Sequence, residues 1–445
     1  MNTLQSLARA LESGETTSVA LLDQCLSRAM YPAGEGARVY LKLREAAAVA
    51  QARAMDEARA RGRAPSRWAG IPISVKDLFD VAGEVTRAGS TLLADAAPAR
   101  ATAPAIARLE AAGFVLVGRT NMTEFAYSGV GINPHYGTPL NPFDRATGRI
   151  PGGSSSGAAV SVTDGMAAAG IGTDTGGSCR IPAALTGITG YKPTASSVPL
   201  EGVYPLSKSL DSVGSLANSV GCCAVLHGLM SRAPITLDSD LRLADLRLGV
   251  LDHYVTADMD ETVSAAYGSA LDRLDRAGVQ LSSIRLPEIE SLPTLNARGG
   301  IAAAEAYAFH REQLERHPAA YDPRVGNRIF AGRNVSIGEL DDIRRARAGM
   351  IAAFAQTMRS YDALLAPTVP VVAPPLAAFD RDDEYVRLNL LLLRNPSLFN
   401  FLDGCAISVP VHDPGTAPVG LMLAAPAGSD ASLLGTAAAV EALFL

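Results

Sequence analysis

GRIPGGSSSGAAVSVTDGMAAAGIGTDTGGSCRIPAALTGITGYKPT, residues Gly148–Thr194, is the stretch on which the reading of this chain turns. It holds two small-residue loops, Gly152–Gly157 and Gly176–Gly177–Ser178, separated by an alanine-rich apolar run. Glycine lets a backbone turn sharply and come close to a ligand. A serine on such a turn is a candidate nucleophile, and the neighbouring N–H groups are candidate anion donors. The second loop follows the strand-like run Ala167–Ile171 and precedes Cys179–Leu185, which reads as a helix with proline in its first turn. A serine entering a helix has free N–H groups and the positive dipole end beside it. That predicts an oxyanion hole from the amides of Thr175, Gly176, Gly177 and Ser178. The plainer alternative, a flexible Gly/Ser linker, stays open for either loop alone.

On the N-terminal side, Ile71–Val75 is a strand-like run ending at Lys76–Asp77. Thr102–Ala103–Pro104 starts a short helix with a capping residue and an early proline, and Gly113 stops it. Phe114–Val117 is a short buried strand, and Leu246–Leu251 alternates as a half-buried one. A helix over about 258–277 follows, stopped by Gly278, and Ala363–Ala366 reads as a buried strand before an ordered Pro-rich loop. Residues 1–62 read as helical. Strands alternating with helices of this length predict an α/β fold with helices on both faces of a sheet. We read residues 1–445 as one continuous domain: an N-terminal helical segment over 1–62, a core over 68–230, and the remainder over 240–445.

Composition narrows the function classes. With 48% hydrophobic and 19% charged residues the chain can bury a large core, and its net charge of −6 gives no electrostatic reason to bind nucleic acid or anionic membrane. Five scattered cysteines without CxxC spacing fit a reducing compartment and no zinc site. The N-terminus lacks the features of a signal peptide. The apolar run Leu388–Leu402 is interrupted by Asn389, Arg394, Asn395 and Pro396, so it does not span a bilayer. The expectation is a cytoplasmic protein.

Of the 39 lysines and arginines only four are lysine: Lys42, Lys76, Lys192 and Lys208. Lys76 stands at the end of an apolar strand, where desolvation can strip its proton and make it a base. Bringing an ordinary lysine near neutrality at pH 7 takes about 4 kcal/mol. Snorkelling to water is the alternative. The six histidines occur singly, with no HExxH spacing, and no G-x-S-x-G elbow is present. A Ser-His-Asp triad drawn from distant positions stays open at this point, because triads are recognised by geometry. His135 lies in a loop and reads as structural. GGSSSG lacks the lysine of a phosphate-binding loop.

Lys76 in SVKD, Ser154 in PGGSSSG and Ser178 in GTDTGGSCRIPA resemble the three catalytic positions of the amidase signature family. GIPISVKDLFD, GRTNMTEFAYSG, NPFDRATGRIPGGSSSG, GITGYKPT, GVYPLSKSLDSVG, LLAPTVP, FNFLDGCAISVPV and PVGLMLAA resemble further family blocks in the family's order. The resemblance implies a large mixed central β-sheet covered by helices. It also implies a Ser–Ser–Lys triad, in which Ser178 is acylated and Ser154, held by an unusual cis peptide, relays protons to neutral Lys76. The 24-residue interval from Ser154 to Ser178 agrees with the family pattern. Cys179 is then a neighbour of the nucleophile. Arg180 and Asp174 read as a structural ion pair. Phe125, Tyr127 and Ser155 are candidates to line the substrate pocket, with further walls within 297–400. Ser156 and Ala158 depart from the commonest residues, glycine and serine. Thr123 stands where glutamine-dependent amidotransferase subunits have aspartate, which weakens a glutaminase reading. The implied activity is hydrolysis of a small carboxylic amide without metal or organic cofactor, and a homodimer is left open. The alternatives are the amidase component of a glutamine-dependent amidotransferase and a non-catalytic scaffold of the same fold.

Overall fold

A computed structural model describes residues 3–238 and 240–444. Eleven strands form one sheet: β1 (Tyr40–Leu43), β2 (Pro72–Lys76), β3 (Val115–Thr120), β4 (Ala169–Thr173), β5 (Thr189–Lys192), β6 (Val213–Ala217), β7 (Arg247–Leu251), β8 (Gln280–Ile284), β9 (Ala363–Pro367), β10 (Cys405–Pro410) and β11 (Gly420–Ala425). Their order across the sheet is β1-β3-β2-β4-β6-β5-β10-β11-β9-β7-β8. β2 runs parallel to both its neighbours, as does β7, while the strands between β4 and β9 pair antiparallel. The sheet is therefore mixed, as the resemblance implied.

Both faces are covered. Along β6, Leu216 packs with Ala158, Val162, Cys179 and Ala183, whereas Val213 and Ala217 join the cluster holding Val220, Cys223 and Leu226. Alternate side chains of one strand thus serve two helical layers. The first layer contains the helices Ser156–Thr163 and Arg180–Thr186, each beginning directly after one of the two serine loops. Glycines in the strands let these helices sit close. A Cβ at Gly170 would lie 2.9 Å from the Ala158 carbonyl, and one at Gly190 would lie 2.5 Å from the Ala183 Cβ. Close helix–sheet packing presses both loops against the strand ends, which fixes where the serines lie.

Several expectations need correction. Residues 1–62 are not wholly helical: Tyr40–Leu43 pairs antiparallel with β3, a long-range contact that overrides local preference. Thr102 does not cap the next helix. Pro104–Ala111 starts after Ala103 without a side-chain cap, and the Thr102 hydroxyl instead accepts the Ala82 N–H at 3.1 Å. The helix expected from Asp258 runs Glu261–Arg276, because Asp260 caps it by accepting the Val263 N–H at 2.7 Å. The apolar run Leu388–Leu402 keeps its expected character as a segment that does not span a bilayer, and all of it but Leu402 lies in one helix, Asp382–Phe401, continuous through Pro396. No helix among the described residues is long and apolar enough to cross a membrane.

Candidate active site

Lys76 is the last residue of β2, and its side chain is fully buried. Its Nζ donates to Ser154 Oγ at 2.7 Å and to Thr173 Oγ1, at the end of adjacent β4, at 3.0 Å. Among the described residues no carboxylate lies within ion-pair distance of this amine. Burial pushes Lys76 down to about 8, with Asp174 and Asp211 opposing the shift from a distance. The contact with Thr173 has no signal in the sequence beyond its place at a strand end.

Ser154 is equally buried and follows a cis peptide bond from Gly153. Its loop is clasped on both sides. Gly153 N–H donates to the Gly129 carbonyl at 2.8 Å, and the Ser154 carbonyl accepts the Thr123 N–H at 3.1 Å. Ser155 N–H then donates to the Ser178 carbonyl at 3.3 Å, joining the two serine loops by their backbones.

Ser178 precedes the helix Arg180–Thr186 and lies on the wall of a cavity of about 1460 Å³. Its loop is held by Asp174, whose carboxylate accepts the Gly177 N–H at 2.9 Å and the Cys179 N–H at 3.1 Å. Arg180 pairs with the same carboxylate at 2.8 Å, and both side chains are fully buried, which makes this pair structural. Asn400, from the helix Asp382–Phe401, donates to Asp174 Oδ1 at 2.9 Å and accepts from Arg180 at 2.7 Å. Burial opposes ionisation of Asp174, yet the Arg180 guanidinium and the Asn400 amide hold it well below the usual carboxylate range. Asn400 is 226 residues from Asp174, so no local pattern could have found it. One of the four expected oxyanion donors is already engaged, since Gly177 N–H serves Asp174. The amides of Thr175, Gly176 and Ser178 have no protein acceptor among the described residues.

Of the three expected pocket residues, only Tyr127 lines the cavity. Phe125 packs instead against Tyr204, His310 and Tyr321, with ring centroids 5.5, 4.5 and 5.2 Å away. Ser155 is fully buried, its hydroxyl donating to the Thr173 carbonyl at 3.4 Å. Much of the remaining wall does come from 297–400, including Ile301, Arg328, Leu391 and Ser397, but Tyr254, Asp258 and Leu292 lie outside that range. Cys179 is buried, and burial pushes its thiol far up, away from reactive thiolate chemistry.

Similarity to known proteins defines the class. The chain matches the amidase family over residues 27–434. It is 36% identical to the 2-amino-5-chloromuconic acid deaminase of Comamonas testosteroni, over 98% of this chain and 95% of that protein. It is 35% identical to a subunit of the glutamyl-tRNA(Gln) amidotransferase of Chloroflexus aggregans, over 97% of this chain and 94% of that protein. A crystal structure of an amidase superposes with a TM-score of 0.90 at 32% identity, covering 100% of both chains. The protein is thus a hydrolase acting on amide carbon–nitrogen bonds. It belongs to the amidase family.

Proposed function

We propose that Ser178, Ser154 and Lys76 form the catalytic triad of a cytoplasmic amidase acting on small amides that carry a carboxylate. The observation that carries the triad is the buried 2.7 Å contact between Lys76 Nζ and Ser154 Oγ, made by a lysine whose proton is loosened by desolvation. Ser178 Oγ attacks the amide carbonyl carbon. Its proton passes to Ser154 Oγ as the Ser154 proton passes to neutral Lys76. The amides of Thr175, Gly176 and Ser178 receive the oxyanion. Lys76 returns the proton through Ser154 to the leaving nitrogen, the carbon–nitrogen bond breaks, and a Ser178 ester remains. Water then repeats the cycle on the ester and releases the acid. A fluorophosphonate probe tests this: a mass adduct on the Ser178 peptide supports it, and an unlabelled Ser178 overturns it.

Arg328 supports the carboxylate. Four arginines line the cavity, and three of them have acidic partners: Arg298 with Glu339, Arg387 with Glu384 and Arg394 with Asp258. Among the described residues Arg328 has no carboxylate within ion-pair distance. It donates to the Tyr127 carbonyl at 2.7 Å and lies 4.5 Å from the Tyr127 ring centroid. A half-buried guanidinium with donors to spare is a site for an anion. The Comamonas relative is itself named for an acid. Arg328→Gln should raise KM for carboxylate-bearing amides by about 10- to 100-fold and leave neutral amides nearly unchanged. Equal losses on both sets would remove Arg328 from substrate recognition.

The likeness to an amidotransferase component supports a second reading, release of ammonia to a partner protein. The fully buried Thr123, at the position where such components have aspartate, weighs against it. Glutaminase activity that appears only with added partner proteins would favour it. Five free, buried cysteines support the cytoplasmic assignment.

A further inference from the structure

A second buried carboxylate besides Asp174 holds the nucleophile loop, through Thr175. Asp211 follows β5 in the turn leading to β6, and it is 5% exposed. Its Oδ1 accepts the Thr175 hydroxyl at 2.6 Å, and its Oδ2 accepts the Leu206 N–H at 3.0 Å. The Ser207 N–H reaches both oxygens at 3.1 Å. Among the described residues no arginine or lysine pairs with it, so these donors alone satisfy it. The turn that supplies them also lines the cavity, through Leu206 and Leu210. A further link runs outward: Ser207 Oγ donates to Glu305 at 2.7 Å, and Ser209 N–H does so at 3.0 Å. Glu305 belongs to the helix Gly300–Arg316, whose Ile301 and Ala303 form another part of the wall.

We propose that Asp211 is a positioning residue for amide hydrolysis, fixing Thr175 so that the oxyanion amides keep their aim and tying that aim to the cavity wall at Leu206–Leu210 and Gly300–Arg316. The proposal rests on the oxyanion role of the Thr175–Ser178 loop. Thr175 leads into that loop, and its side-chain bond to Asp211 sets its orientation. A carboxylate accepts every one of these bonds at once. An asparagine of the same shape keeps the backbone donors only by turning its NH₂ to the Thr175 hydroxyl, which reverses that bond and removes its charge assistance. Asp211 touches no reacting atom, so its loss is felt where charge develops on the carbonyl oxygen and much less in substrate binding.

The test compares Asp211→Asn, Thr175→Val, Thr175→Ser and the Asp211→Asn/Thr175→Val double variant. Asp211→Asn and Thr175→Val should each lower kcat by about 10- to 100-fold, with KM within about threefold of wild type. Thr175→Ser, which keeps the hydroxyl, should restore most of the rate. The double variant should be no slower than the worse single, because both substitutions act on one contact. Affinity for a boronic acid that mimics the tetrahedral oxyanion should fall in parallel with kcat. If Asp211→Asn folds poorly, Thr175→Val carries the test. Wild-type kcat in Thr175→Val, or losses that multiply in the double variant, would overturn the proposal. Fluorophosphonate labelling of wild-type Ser178 separates the two levels. Labelling with unaffected Thr175→Val defeats this proposal alone, and absence of labelling defeats the triad with it.

Discussion

The Ser178→Ala protein is expected to fold like the wild type and to lose roughly 10⁴- to 10⁶-fold in kcat. The two halves of that result come from different parts of the structure. The loop is held by the carboxylate of Asp174 acting on Gly177 and Cys179, by Arg180 and Asn400, and by Asp211 acting on Thr175. None of these bonds uses the Ser178 hydroxyl, which has no protein partner among the described residues. Removing one oxygen from the cavity wall therefore costs little stability, and Tm should stay within a few degrees. The rate falls because no other nucleophile stands in its place. Cys179 is turned into the interior with a thiol far from ionisation, and Ser154 is engaged by Lys76. Steady-state kinetics with a fluorogenic amide, paired with thermal unfolding, checks both halves. Activity within tenfold of wild type would end the assignment of Ser178.

The parts of the fold that the sequence announces are those in which local pattern and tertiary packing agree. β2, β4, β7 and β9 are short apolar runs with turn residues at their ends, and their existence is legible. β1 is not, because four residues between helices become a strand only when β3 offers its edge. β5 and β6, TGYK and VGSLA, are short and glycine-broken, and their glycines serve packing: Gly190 admits the helix Arg180–Thr186, and Gly214 admits the Tyr191 carbonyl and the Cys179 side chain. The helix Asp382–Phe401 is obscured by its polar residues, which read as interruptions. In the structure each is a tie point: Asn389 accepts from Ser128 and Gly129, Asn395 donates to the carbonyls of Val255 and Pro367, and Asn400 joins Asp174. A buried, hydrogen-bonded asparagine looks, in one dimension, like a surface residue. The same limit applies to the site. Lys76, Ser154 and Ser178 stand on strand ends and glycine loops, which have a signature. Their supports, Thr173, Asp211 and Asn400, are ordinary polar residues whose role exists only through distant partners.

Replacing Lys76 should cost much of the activity, though less than replacing Ser178, and the accompanying pH dependence has a sign fixed by which protonation state works. A relay that starts with proton acceptance needs the neutral amine. Burial lowers Lys76 to about 8, so the active fraction rises with pH up to that value and levels off above it. In wild type, kcat/KM should climb about tenfold per pH unit below pH 8 and flatten beyond it. Lys76→Met keeps the apolar stem and removes the amine. It should lower kcat/KM by roughly 10²- to 10⁴-fold and abolish the acid limb in whatever activity remains. The same shift bears on stability. The folded lysine gives up its proton near 8 and the unfolded one near the ordinary value of 10.5, so the unfolded state binds more protons between these limits. Stability of wild type relative to Lys76→Met should therefore rise with pH across about 8 to 10.5 and stay flat below it. Burying a cation without an anion is costly to the fold, and use as a base gives that cost a purpose at Lys76. If the acid limb persists in Lys76→Met while the stability difference follows this course, the lysine is buried as described and the base is another group. If the limb vanishes, the desolvation that weakens the fold below pH 8 is the same interaction that makes Ser178 reactive.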